Sequence, residues 1–109
     1  MDAETLTALE ESIAHWERIR DGKEAELGTA NCALCQTFYD VRCIGCPVRE
    51  ASRRSSCDDT PYVHWDTLMR RKYKYCERRI AETPDEVAAA QAELDFLRSL
   101  LPKELGGKP

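Results

Sequence analysis

Large rings are scarce in this chain: two Trp, four Tyr and two Phe among 109 residues, a third of which are charged. A chain of this length buries only part of its apolar surface, and with so few aromatics its core is marginal on apolar burial alone. No run of apolar residues is long enough to span a bilayer. The opening "MDAETLTALEES" is acidic where a secretory signal would be basic, and it lacks the apolar stretch that such a signal needs. No Gly-rich phosphate loop occurs, which removes the usual nucleotide cradle. Histidine is nearly absent, with only His15 and His64. A soluble, cytoplasmic chain without a membrane segment is the expectation, and in that compartment disulfides are rare.

Cysteine, by contrast, is plentiful. Six cysteines stand at Cys32, Cys35, Cys43, Cys46, Cys57 and Cys76. The first four form two C-x-x-C pairs within "CALCQTFYDVRCIGC". In a reducing compartment, paired spacing of this kind favours metal or redox chemistry over cross-links. Each pair can turn two thiolates toward one ion, and two pairs supply the four soft donors of a tetrahedral zinc site. Zinc bound in this way contributes folding free energy, on the order of 10 kcal/mol in small peptides, and compensates for a marginal core. The expected ligands are Cys32, Cys35, Cys43 and Cys46.

The short separation between the pairs and the fifth neighbour leave alternatives open. Zinc ribbons separate their pairs by about 15–20 residues, whereas residues 36–42 alone intervene here. Cys57 can replace one ligand, and His64 is a weaker candidate for the same place. The "CP" at Cys46–Pro47 also ends ferredoxin-type runs, so an iron–sulfur cluster is the main rival, although the C-x-x-C-x-x-C core of those runs is missing. A redox dithiol is a further option. Buried small hydrophobes would explain one or two cysteines, Cys76 best among them, but not the paired spacing.

The rest of the chain reads as helix. Leu6, Leu9, Ile13 and Trp16 recur at helical spacing in the N-terminal segment 1–27, with Asp2 as cap and Gly22 as stop. Residues 28–60 read as a cysteine-rich zinc-binding loop of turns. Thr60 and Pro61 then open a basic amphipathic helix over 61–82. Trp65, Leu68, Met69, Cys76 and Ile80 fall mostly on its apolar face, with Arg70, Arg71, Lys74 and Arg78 opposite. Thr83, Pro84 and Glu86 spell a capping box for a C-terminal helix over 83–102, with Val87, Ala90, Leu94, Leu97 and Leu101 in its stripe. Residues 103–109 read as a flexible tail. The predicted fold is therefore mainly α: a small three-helix domain with an irregular cysteine-rich metal-binding loop between the first two helices. The N-terminal and C-terminal stripes serve as a shared core or as a homodimer surface.

Set together, these motifs resemble a set of small cysteine-rich proteins encoded by bacteriophages and prophages, most of them without known function. The matching residues are His15, Trp16 and Glu17; Cys32, Leu34 and Cys35; Cys43, Cys46, Pro47 and Val48; and Cys57, Thr60, Pro61, Tyr62 and Trp65. They span about half the chain. The resemblance implies a host-cytoplasmic setting and makes Cys57 part of the same pattern; it implies no activity.

Charge is segregated within a net of −4. The N-terminal and C-terminal segments are acidic, and "RRKYKYCERR" (70–79) is basic. Arg70, Arg71, Lys72, Lys74, Arg78 and Arg79 form the candidate nucleic-acid surface. The plainer reading pairs those charges with the acidic helices. For catalysis, Cys57 with His64 is the only nearby combination, and the carboxylates read as solvated. The sequence therefore leads to an accessory protein that binds a host or phage protein through a zinc-braced surface, with nucleic-acid binding as the alternative.

Overall fold

The computed structural model describes residues 3–26, 32–38, 46–48, 60–72 and 79–102, with the backbone alone at 35, 36 and 38. Among the described residues four helices have both ends defined: α1 (Ala3–Arg20), α2 (Ala33–Phe38), α3 (Pro61–Lys72) and α4 (Pro84–Ser99). The protein is mainly α, as expected, with three long helices. Among the described residues the only β pairing is an isolated antiparallel bridge between Glu26 and Arg79. None of the described helices is long and apolar enough to cross a membrane.

Helix α1 ends where glycine permits it. The N–H of Lys23 donates to the Arg18 carbonyl at 2.9 Å and that of Gly22 to the Ile19 carbonyl at 3.0 Å. This is the Schellman arrangement, and it needs a left-handed residue at Gly22, whose φ is 73°. The side chain of Thr83 accepts from the Glu86 N–H at 3.2 Å, and the Glu86 carboxylate accepts the Thr83 N–H at 3.0 Å. That reciprocal box, with Pro84 in the first turn, starts α4 at its predicted place. Thr83→Ala will lower stability by about 1 kcal/mol, read as a lower denaturation midpoint with an unchanged m-value.

Helix α4 is central: α1 and α3 both pack on it, and α2 packs on α1. Leu9, Ile13 and Trp16 from α1, Trp65 and Met69 from α3, and Ala90, Leu94 and Leu97 from α4 form one buried cluster. Each large apolar side chain fully buried there contributes about 1.5–3 kcal/mol. The stripes of α1 and α4 are thus spent on each other inside one chain, and a homodimer through those faces has no support from their geometry. Trp16 and Trp65 meet edge to face at 5.3 Å, joining α1 to α3.

The structure departs from the predicted elements in three places. A short helix, α2, stands where turns were expected, and it is packed: Leu34 is buried in the main cluster. The basic helix does not run to residue 82. Its described part stops at Lys72, and Arg79 instead pairs its backbone with Glu26. Tertiary pairing here overrides local helix propensity. In α4, Ala90, Leu94 and Leu97 are buried as expected, but Val87 is exposed and the inner face also takes in Glu86, Ala89 and Glu93. Asp2, Cys43, Cys57, Lys74, Cys76, Arg78 and the tail 103–109, each given a role above, lie outside the described residues.

Candidate functional site

Cys32 sits immediately before α2, half-buried against the main cluster, and position 35 follows one helical turn later. Cys46 is buried in that same cluster, next to the buried Pro47 and Val48. One member of each C-x-x-C pair therefore rests on a single apolar body. Among the described residues no three His, Cys, Asp or Glu side chains form a group able to hold a metal. Cys43 and Cys57, and the side chain of Cys35, the other expected donors, lie outside the described residues. The donor chemistry fits zinc or iron: thiols are soft ligands, and both described thiols are at least half withdrawn from water. His64 is exposed on α3 and belongs to no such group among the described residues.

Among the described residues, the bases of the candidate nucleic-acid surface largely face carboxylates. Arg70 Nε donates to Asp66 at 2.7 Å. Lys72 Nζ contacts Glu82 and reaches Glu86 at 3.2 Å. Arg79 is turned inward to Asp66 at 2.7 Å and Glu26 at 3.3 Å. Arg71 is exposed and makes no ion pair among the described residues. Three of the four described bases (Arg70, Lys72 and Arg79) therefore already have anionic partners; Asp66, which serves Arg70 and Arg79, belongs to α3 itself, so only Lys72, through Glu86, reaches one of the acidic helices as the plainer reading expected.

The carboxylates depart most from expectation. Glu26, expected in solvent, is only 3 % exposed and lies at the centre of a polar knot. Its Oε1 accepts from Trp65 Nε1 at 3.1 Å and from Arg79 Nη1 at 3.3 Å, and its Oε2 from the Tyr62 hydroxyl at 3.2 Å. Arg79 also donates to the Tyr62 oxygen at 3.4 Å. The Glu26 N–H donates to the Arg79 carbonyl at 2.9 Å, which makes the bridge. A buried carboxylate is tolerated when it is paired and its lone pairs are served, and here both conditions hold. Burial and the charge of Glu26 push the Tyr62 hydroxyl far above its ordinary range, so it remains a donor. Burial also raises Asp66, but its bonds from Arg70 and Arg79 outweigh that and hold it below the usual carboxylate range.

Glu93, on α4, is the second buried carboxylate, also 3 % exposed. It accepts the backbone N–H of Tyr62 in the first turn of α3, where an acceptor serves one of the helix's orphan donors. Its Oε1 is buried without a hydrogen-bond partner among the described residues. Burial, then the neighbouring Cys32 and Glu26, push its pKa up to about 8. His15, expected at a boundary, is buried and contacts Glu24, to which Arg18 also donates at 2.7 Å.

Glu93 was detectable, because it occupies an inner-face position one helical turn from both Ala90 and Leu97. Glu26 had no such signal, since it lies between elements where no period operates. No known protein family, curated protein or solved structure matches the chain.

Proposed function

We propose that this chain is a phage-type accessory protein of the host cytoplasm, a helical scaffold that presents a zinc-braced cysteine surface to a protein partner. Cys32, Cys35, Cys43 and Cys46 hold the ion, with Cys57 as the replacement ligand. Four thiolates close a tetrahedral zinc, leaving no position for substrate, so the ion braces structure and the surface carries the function.

The observation that carries this reading is the convergence of the cysteine-and-aromatic pattern. His15, Trp16, Leu34, Cys46, Val48, Thr60 and Trp65 are scattered over fifty residues of sequence, yet all are buried. Trp16, Leu34, Cys46, Val48 and Trp65 belong to one cluster. A pattern spent on packing around the thiols suits a scaffold module; a catalytic pattern would leave polar groups converging on a cleft. The ion pairs of Arg70, Lys72 and Arg79 favour a protein partner over nucleic acid, since a phosphate backbone would have to displace those carboxylates.

Elemental analysis of native protein, purified under reducing conditions, tests the metal. One zinc per chain is expected, lost on Cys32→Ser or Cys46→Ser. Iron with visible absorbance replaces zinc by a cluster, and a metal-free chain with every thiol reduced overturns the reading. Specific capture of one protein by the zinc-loaded chain, abolished by chelation, tests the partner.

A further inference from the structure

Two buried side-chain atoms have no hydrogen-bond partner among the described residues, Ser12 Oγ and Glu93 Oε1. The hydroxyl is neutral, and leaving it unmet is the smaller cost. A carboxylate oxygen in the same condition costs far more once the group is charged. Among the described residues the other two buried carboxylates are well served. Glu26 accepts from Trp65, Tyr62 and Arg79, and Glu86 from Lys72 and the N–H groups of Glu82 and Thr83. Glu93 accepts only the Tyr62 N–H, which holds its side chain at the start of α3, and its charged neighbours are Cys32 and Glu26. Cys32 stands just before α2, half-buried against the apolar cluster to which Ala90, Leu94 and Leu97 of α4 belong. An orphaned oxygen, 97 % of its residue withdrawn from water and with a thiol beside it, is a place where a cation is favoured: both groups are anionic when they ligate, and thiolate and carboxylate both bind zinc.

We propose that Glu93 Oε1 and the Cys32 thiolate are two donors to one zinc ion, with Glu93 in place of one of the thiols assigned above. This assignment rests on the metal reading and narrows it. Zinc takes carboxylate oxygen at about 2.0–2.2 Å beside thiolate sulfur at about 2.3 Å. An iron–sulfur cluster is held by thiolates, with histidine in one class, so an oxygen donor selects zinc over that rival. The Tyr62 N–H orients the carboxylate, as partners behind a metal's ligands do. With Cys32 at the start of α2 and Glu93 on α4, one ion ties the short cysteine-bearing helix to the central one.

Cobalt(II) titration of the reduced full chain, followed by thiolate-to-cobalt charge-transfer and d–d absorbance, reads affinity and donor set together. Glu93→Gln keeps the shape and an acceptor for the Tyr62 N–H while removing the charge. Cys32→Ser removes the sulfur. Thr83→Ala, which takes away a helix cap and touches neither donor, is the control for general destabilisation. Glu93→Gln is expected to lower cobalt affinity tenfold or more, since loss of a ligand's mere partner already costs about that much, and to shift the d–d bands while keeping the thiolate bands. Cys32→Ser should weaken the thiolate bands, and Thr83→Ala should stay close to wild type. X-ray absorption of the zinc-loaded wild type should show a light scatterer at about 2.0–2.2 Å beside sulfur, diminished in Glu93→Gln. Sulfur alone around zinc overturns the assignment. So does a weaker Glu93→Gln variant with unshifted d–d bands, because Glu93 would then act from outside the coordination sphere, and so does an equal loss in Thr83→Ala. If wild type itself shows no thiolate–cobalt bands, the metal reading fails and Glu93 fails with it; normal wild-type bands with an indifferent Glu93→Gln overturn the Glu93 ligand alone.

Discussion

Glu26→Ala will cost about 3–5 kcal/mol of stability, the range for removing one partner of a buried ion pair. The loss has three sources. Trp65 Nε1 is left without its acceptor inside a fully buried environment, the Tyr62 hydroxyl loses Glu26 Oε2, and Arg79 keeps Asp66 and the Tyr62 oxygen but loses its buried carboxylate. An unmet buried donor costs about 1–3 kcal/mol by itself. Against a total of about 5–15 kcal/mol for small domains, the alanine variant sits near the edge of folding. Glu26→Gln keeps an acceptor oxygen but loses the charge facing Arg79, so its loss should be roughly half as large. Joint replacement, Glu26→Met with Arg79→Leu, should recover much of it, because a buried ion pair contributes little beyond an apolar pair of similar volume. Denaturant titration followed by fluorescence of Trp16 and Trp65, the only two tryptophans, reads all three variants. A loss below about 1 kcal/mol for the alanine variant would place Glu26 outside the stabilising core.

This knot also marks the limit of what the sequence discloses. Elements whose signals are local were legible. Thr60–Pro61 opens α3, Thr83–Pro84 with Glu86 opens α4, and Gly22 ends α1, because each is set by a few adjacent residues and one backbone geometry. The apolar stripes of α1 and α4 were legible because burial imposes a period. Glu26 was not, since its burial arises from Trp65 and Arg79, both far away in sequence. For the same reason the helix predicted to residue 82 failed: Arg79 is committed to a partner across the fold, and local propensity carries no information about that partner. Helix α2 is too short to show a period, and only the burial of Leu34 reveals that it is packed. Of the candidate site, the cysteine spacing was legible in the sequence, and the structure adds that Cys32 and Cys46 lean on one apolar cluster.

Glu93 gives the second large effect, and its signature is a dependence on pH. Its folded pKa is raised to about 8 from an ordinary 4.5, first by burial. Between those two values the folded chain binds more protons at this position than the unfolded chain. Stability from this group therefore falls as pH rises from 4.5 toward 8, and is flat outside that window. The full span is worth on the order of 5 kcal/mol. Glu86 and Asp66 act in the opposite sense. Both are held below their ordinary pKa despite burial, Glu86 by the N–H groups of Glu82 and Thr83 and by Lys72, and Asp66 by Arg70 and Arg79. Their contributions are present above the ordinary carboxylate pKa and are lost as pH falls through the depressed values. Glu93→Gln separates the two limbs. The amide keeps an acceptor for the Tyr62 N–H and leaves a buried N–H unmet, as the protonated acid leaves its O–H. The variant should therefore match wild type within about 1 kcal/mol near pH 5. Near pH 9 it should be the more stable by several kcal/mol, because only wild type then holds an ionised carboxylate with one oxygen unserved. The loss below pH 4 should be the same in both proteins. Chemical denaturation midpoints of the pair across pH 3–9 supply the measurement, and parallel curves through the neutral range would mean that Glu93 is ionised in the fold with a partner for Oε1.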